Sequence, residues 1–209
     1  MSSPIDIARY VASFGASPLA RFRAAAPWDL TASSVDIVRS LLAEHPSPEF
    51  AIVDEVAVHR SAIVESGAVL KGPLIVGARC FVAAGAYLRG GAWIAERCTI
   101  GPGAELKSSF VFPGTGVAHF NFVGDSLLGS GVNLEAGSVI CNARNERDAK
   151  EVLVRVGGGL EGTGREKFGA LVGDGARIGA NAVVAPGALL MPGAVVPRGA
   201  LCDQEAAIG

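Results

Sequence analysis

The chain has 209 residues, half of them hydrophobic, with 28 glycines, 6% aromatics and a formal net charge of −2. This near balance of charge gives no reason to expect nucleic acid or an anionic membrane surface as a partner, and so few aromatics suit an elongated β-solenoid better than a sandwich with aromatic core layers. No basic segment precedes an apolar stretch at the start, and no apolar run is long enough to span a bilayer, so a cytoplasmic location is expected. Residues 1–50 follow no short repeat and are expected to form a helical cap and connector that shields the open end of the domain after it. Ser3-Pro4 starts a helix through Ile5, Ile7, Ala8 and Val11. Residues 26–30 read as an extended connector. A second helix opens at Ser33 or Ser34, carries Val35, Ile37, Val38, Leu41 and Leu42 at helical spacing, and stops at Pro46 and Pro48.

Over 52–112 one large apolar residue recurs every six positions: Ile52, Val58, Val64, Leu70, Val76, Val82, Leu88, Ile94, Ile100, Leu106 and Phe112. Four places after each stands a mostly small residue, such as Ala62, Ala68, Cys80, Ala86, Ala92, Cys98 and Ala104. A period of six fits neither the 3.6 of a helix nor the two of a half-buried strand. It fits stacked coils of very short strands and turns around one continuous core, which makes residues 51–209 an all-β solenoid. Over 117–125 the phase slips, and Phe122, Leu128, Leu134 and Ile140 restart the count. A slip implies a bulge or loop extruded from the wall, and His119, with Asn121 two residues on, falls there. Irregular backbone on a rigid scaffold is where functional side chains tend to be displayed.

Residues 143–166 break the repeat. A polar run leads to the alternating 151–156 stretch and to Gly157-Gly158-Gly159, which together read as a projecting hairpin arm. The glycines lack the strand–GxGxxG–helix setting of a phosphate cradle. The repeat resumes with Val172, Ile178, Val184, Leu190 and Val196, and residues 203–209 read as a frayed tail. Cys80 and Cys98 occupy the small inward position, Cys141 and Cys202 stand alone, and all four read as structural thiols rather than as a disulfide or metal site.

The rhythm resembles the hexapeptide-repeat family, in which three hexads make one triangular coil of a left-handed parallel β-helix. Handedness comes from that resemblance, because parallel crossovers are normally right-handed. The segment His119-Phe120-Asn121-Phe122-Val123-Gly124-Asp125-Ser126, followed by Val132-Asn133-Leu134-Glu135-Ala136-Gly137, is more specific. It resembles the acetyltransferase domain of bifunctional N-acetylglucosamine-1-phosphate uridylyltransferase/glucosamine-1-phosphate acetyltransferases. It is closer still to the C-terminal domain of related sugar-1-phosphate nucleotidylyltransferases, which share Thr163-Gly164-Arg165-Glu166-Lys167-Phe168-Gly169-Ala170 and a connector like Pro27-Trp28-Asp29-Leu30. Their large nucleotidyltransferase domain does not fit in the first 26 residues, so nucleotidyl transfer is not expected.

The resemblance implies acetyl transfer from acetyl-CoA to an amino-sugar phosphate by a homotrimer whose site lies between neighbouring subunits, without a metal. It makes His119 the catalytic histidine, Arg89, Lys107 and Lys167 phosphate-side cations, and Asn133 a sugar ligand. Ala136 and Ala180 fall on the acyl-donor side, Asn142 matches an asparagine that helps position the histidine region and the acyl donor, and Lys150 matches a further lysine after a one-residue shift. Three positions depart from the pattern: Phe122 replaces a tyrosine, Ala143 a tyrosine and Ala180 a serine. The chemistry is coherent by itself. Attack by an amine needs a base titrating near neutrality, and two cations can hold a phosphate by charge-assisted hydrogen bonds. Arg89 and Lys107 are eighteen residues apart. If three hexads make a coil, they stack on one face about 5 Å apart.

Two alternatives remain. One is a non-catalytic trimer that binds a sugar phosphate or nucleotide sugar, or regulates a separate nucleotidyltransferase. The other is a zinc carbonic anhydrase of the same fold. It needs three histidine ligands, for which His45, His59 and His119 lack the spacing.

Overall fold

The structure is a computed structural model describing residues 5–44 and 48–206. Each hexad contributes one strand of two to four residues and one turn, and successive hexads stack into three sheets, here walls I, II and III. Walls II and III have seven strands each, and wall I has eight. Wall I starts with β1 (Phe50–Val53), antiparallel to β2 (Val56–His59); every later pairing in the three walls is parallel. The expected three-sided parallel β-solenoid is therefore present. Its inner column is apolar: Leu74, Val82, Leu88, Ile94, Ile100 and Leu106 are fully buried, with Cys80, Ala86, Ala92, Cys98 and Ala104 filling the tighter positions between them. Each large member contributes about 1.5–3 kcal/mol by leaving water.

The register departs from a strict period of six at three places. Ile52 lies on the antiparallel β1 and is 46% exposed, so it takes no part in the column. Beyond Leu106 the inward residues are Val111, Val117, Val123 and Leu128. Phe112 and Phe122 are thus displaced by one residue from the inward positions expected of them. The cause is two shortened coils. Ile75 pairs with Trp93 eighteen residues on, whereas Trp93 pairs with Phe110 and Phe110 with Leu127 after only seventeen. Both losses fall where wall III turns into wall I. An earlier coil turns there on Gly90 and Gly91; the shortened ones turn on single left-handed residues, Ser108 (φ 49°) and Asp125 (φ 47°). The next coil extrudes the 143–166 insertion at that same III–I corner. The corner that bears His119 joins walls II and III and keeps the six-residue step from Val117 to Val123, so the slips flank His119 instead of lying at it.

Wall I is covered. Its outward Ile75, Trp93, Phe110, Leu127, Leu171 and Leu189 pack beneath Val11, Phe14, Leu19, Trp28, Leu30, Val38 and Leu41 of the N-terminal segment and Val152, Val154 and Phe168 of the insertion. The cover runs along the wall, where the sequence suggested a shield over the solenoid's end. Trp93 meets Phe112 edge-on at 5.3 Å, and Trp28 meets Phe168 at 5.9 Å. In place of one first helix the segment has 3-10 turns at Ile7–Arg9, Ala12–Ala16 and Pro18–Phe22. The expected extended connector is α1 (Pro27–Ala32), with Pro27 in its first turn and Asp29 near its positive end. The second helix is α2 (Ser34–Glu44). Ser3-Pro4 and Pro46 lie outside the described residues.

The insertion folds back as an antiparallel hairpin, Leu153–Val156 with Gly159–Gly162; Val154 and Val152, just before the first strand, are fully buried. The tail is not frayed up to residue 206. Gln204 exchanges two hydrogen bonds with the Leu189 backbone (2.9 and 3.0 Å), and Arg155 donates to the Gln204 carbonyl (2.7 Å). All four cysteines are free.

Candidate active site

The residues singled out in the sequence fall on two edges of wall III. Its strands run from the II–III corner, where His119 stands, to the III–I corner, where Lys107 ends its strand. The alternation that buries Leu88, Leu106 and Val123 turns Arg89, Lys107 and Phe122 outward. Lys107 pairs in register with Arg89 on one side and with Gly124 on the other. The stacking expected from the eighteen-residue spacing is present.

Both cations already have partners. Arg89 donates to Glu105 at 2.6 and 2.8 Å, with its guanidinium 5.7 Å from the Tyr87 ring. Lys107 Nζ lies 2.9 and 2.8 Å from the two oxygens of Asp125. That pair is largely buried, the side chains being 19% and 7% exposed. Asn142 Nδ2 donates to the same carboxylate, and the Asn142 carbonyl accepts from Phe168 N at 3.0 Å. Lys107, Asp125 and exposed Lys167 line a groove of about 360 Å³, roofed by Thr31, Ser34 and Val35 at the α1–α2 junction. The roof is built close. Ser34 Oγ donates to the Gly90 carbonyl at 3.0 Å, and a Cβ on Gly91 would come within 2.5 Å of Val35 N. Arg165 closes the rim by pairing with Asp29 at 2.8 Å.

At the II–III corner His119 is exposed, and its carbonyl accepts from Gly137 N at 2.8 Å. Phe120 beside it is 74% exposed, with left-handed backbone (φ 51°) where the flanking coils place Gly103 and Gly137. Asn121 points inward and ties the corner to the next coil, donating to Glu135 O (2.7 Å) and Ser138 Oγ (2.9 Å). Ala136 and Ala180 stand on the following coils of this corner. Ala180 N donates to Glu135 Oε2 at 2.9 Å, and Arg198 clasps Glu135 at 2.7 and 2.9 Å. Arg198, and then the Ala180 N–H, hold the Glu135 carboxyl below its usual range. Exposed Asn133 lies round the corner on wall II, in register with Gly116 and Arg177. Within one chain, then, Arg89, Lys107, Asn142 and Lys167 gather near the III–I corner, while His119, Ala136 and Ala180 line the II–III corner and Asn133 lies beyond it.

The contacts made by Glu105, Asp125, Glu135 and Arg198 were not anticipated. For Glu135 and Arg198 the signal was weak, since 63 residues separate them. For Asp125 a signal was at hand, since it stands eighteen residues after Lys107, the spacing that also separates Lys107 from Arg89.

No family model matches the chain. It is 42% identical over 69 residues to a bifunctional sugar-1-phosphate nucleotidylyltransferase/acetyltransferase of Sulfurisphaera tokodaii, which is 33% of this chain and 17% of that protein. It is 36% identical over 70 residues to the bifunctional protein GlmU of Methanococcus maripaludis, 34% of this chain and 16% of the relative. The chain's matches span about a sixth of these relatives' length, so the likeness covers part of each protein. A hexapeptide transferase family protein from Anaplasma phagocytophilum overlaps 70% of this chain and 72% of its own at 19% identity, with a TM-score of 0.36. Among the described residues no group of three His, Cys, Asp or Glu side chains could hold a metal ion, and no helix is long and apolar enough to cross a membrane.

Proposed function

We propose that this protein is an acyltransferase that moves an acetyl group from acetyl-CoA to the amine of an amino-sugar phosphate resembling glucosamine 1-phosphate. The observation that carries the reading is the in-register pair Arg89 and Lys107, at the opposite edge of one wall from His119. A phosphate bridging the two cations would anchor the sugar along wall III. His119 would take a proton from the amine as it attacks the thioester carbonyl, and the tetrahedral adduct would collapse with loss of the CoA thiolate. The reaction requires no metal. Asn133, Ala136 and Ala180 would complete the site across a trimer interface, each partner copy bringing its wall II against wall III of its neighbour. Exposed apolar residues on the two unroofed walls, among them Ile63 (62%) and Val195 (55%) on wall II and Leu201 (68%) on wall III, support such burial. We place the reaction in the cytoplasm.

The test is CoA release from acetyl-CoA with glucosamine 1-phosphate and with galactosamine 1-phosphate, comparing wild type with His119→Ala. The expected result is a loss of about a hundredfold or more, the usual scale for a general base. Absence of turnover by correctly assembled wild type on either sugar sinks the proposal.

One observation favours a second reading, a non-catalytic binder of sugar phosphates or nucleotide sugars: Arg89 and Lys107 are both already neutralised by carboxylates, and Phe122 and Ala180 lack the hydroxyls of the enzymes they resemble. Calorimetric titration with CoA separates the two, because only the acyltransferase needs to bind it.

A further inference from the structure

Asp125 touches both the acceptor and the donor side of the proposed site. It is 5% exposed and sits in left-handed backbone at the second shortened corner, where the full-length coil uses glycine. Glycine takes this conformation without strain, whereas an aspartate held there needs a reason to stay. Its contacts supply one. The two carboxylate oxygens accept from Lys107 Nζ at 2.9 and 2.8 Å, and the second also accepts from Asn142 Nδ2.

We propose that Asp125 is a positioning residue whose carboxylate fixes the Lys107 ammonium and the Asn142 amide together, so that one side chain aligns the phosphate and acyl-donor sides of the site. The inference rests on the acetyltransferase reading, which gives Lys107 and Asn142 those tasks. A lysine ammonium is a point charge on a flexible four-carbon stem and does not place itself. Two of its three protons are directed by Asp125. The third faces Ser108 Oγ at 3.4 Å, a contact long enough for an incoming phosphate oxygen to displace. Lys107 therefore meets its ligand already ordered, which removes part of the entropic cost of binding. Asn142 donates to the Oδ2 that also accepts from Lys107, just before the insertion leaves the corner. Both links fail together if the carboxylate is lost, because an amide at 125 has a single acceptor oxygen and turns a donor toward one of two donors.

The closing experiment measures KM for both substrates and kcat in wild type, Asp125→Asn, Asp125→Gly, Lys107→Met, Asn142→Ala and the Lys107→Met/Asp125→Asn double variant. Glycine at 125 suits the backbone, so that variant reads loss of the carboxylate even if Asp125→Asn folds poorly. Both Asp125 variants are expected to raise the KM for glucosamine 1-phosphate about tenfold or more and that for acetyl-CoA several-fold, with kcat changed less than about threefold. Lys107→Met should affect the acceptor alone and Asn142→Ala the donor alone. In the Lys107→Met background, Asp125→Asn should no longer move the acceptor KM. Wild-type KM values in both Asp125 variants, or fully additive effects in the double variant, overturn the assignment while leaving the acetyltransferase reading intact. A wild type that turns over neither sugar defeats that reading instead, and this assignment with it.

Discussion

Arg144 clasps Asp203 with both terminal nitrogens, at 2.8 and 2.7 Å, although the two residues are 59 positions apart. The arginine is 6% exposed, lies 3.1 Å from Glu205 as well, and joins the insertion to the end of the chain. Its hydrogen bonds hold the Asp203 carboxyl down at about 2, against the opposing effect of burial. A carboxylate with a lowered folded value adds stability that is complete above its unfolded value, near 3.9, and is lost as pH falls through the folded one. The tail contact should therefore weaken between about pH 4 and pH 2. Asp203→Asn should cost about 1.5–3 kcal/mol at neutral pH and flatten the acid limb over that window. Thermal melts at several pH values check this; an unchanged acid limb in the variant would show that Asp203 contributes nothing to it.

The cover over wall I can be tested at Phe14, which is 2% exposed and whose ring lies tilted against Phe112 with centroids 6.2 Å apart. Removing its ring leaves a cavity between the 3-10 segment and the sheet, so Phe14→Ala should cost about 3–5 kcal/mol in urea unfolding. If the segment were only loosely laid on the solenoid, the midpoint would barely move.

The shortened coils predict opposite outcomes at neighbouring positions. Val123 is fully buried in the column, while Phe122 faces outward and is half-buried. Val123→Ser places an unpartnered hydroxyl in the apolar column and should cost about 1–3 kcal/mol or more. Phe122→Ser should cost less in the isolated chain. A larger loss at 122 than at 123 would restore the six-residue register there.

Which parts of the molecule could be read from the chain follows from these positions. At Ile100 and Leu106 the flanking residues are polar or small, so the six-residue count admits one register. At Phe110-Val111-Phe112 and Phe122-Val123 adjacent residues are all apolar, and a one-residue slip costs nothing in pattern although it turns every side chain to the other face. The N-terminal segment was hidden for another reason. Its apolar residues match outward-facing Ile75, Trp93 and Leu127, which no repeat marks as needing a cover. In the site, the Arg89–Lys107 stack was legible because the coil between them is full length. The Lys107–Asp125 pair has that same eighteen-residue spacing, whereas the Asp125–Asn142 contact, at seventeen, depends on a coil that lost a residue.

Gly101 offers a way to move the His119 corner without touching it. A Cβ built on Gly101 would lie 1.4 Å from the Ala118 carbonyl oxygen, so no side chain fits unless that corner shifts. Gly101→Ala must push Ala118, and His119 after it, away from the coil beneath. A displacement near 1 Å at His119, the base of the proposed reaction, is expected to lower kcat by about a hundredfold, with a changed His119 ring signal in NMR. Gly114→Ala is the control. It also adds a methyl to a corner, at φ 72°, but nothing lies within 4 Å of it. It should cost about 1–2 kcal/mol of backbone strain and leave kcat unaltered. Should Gly101→Ala keep both wild-type kcat and the native His119 signal, the II–III corner can yield without loss, and close packing beneath His119 is not what sets its position.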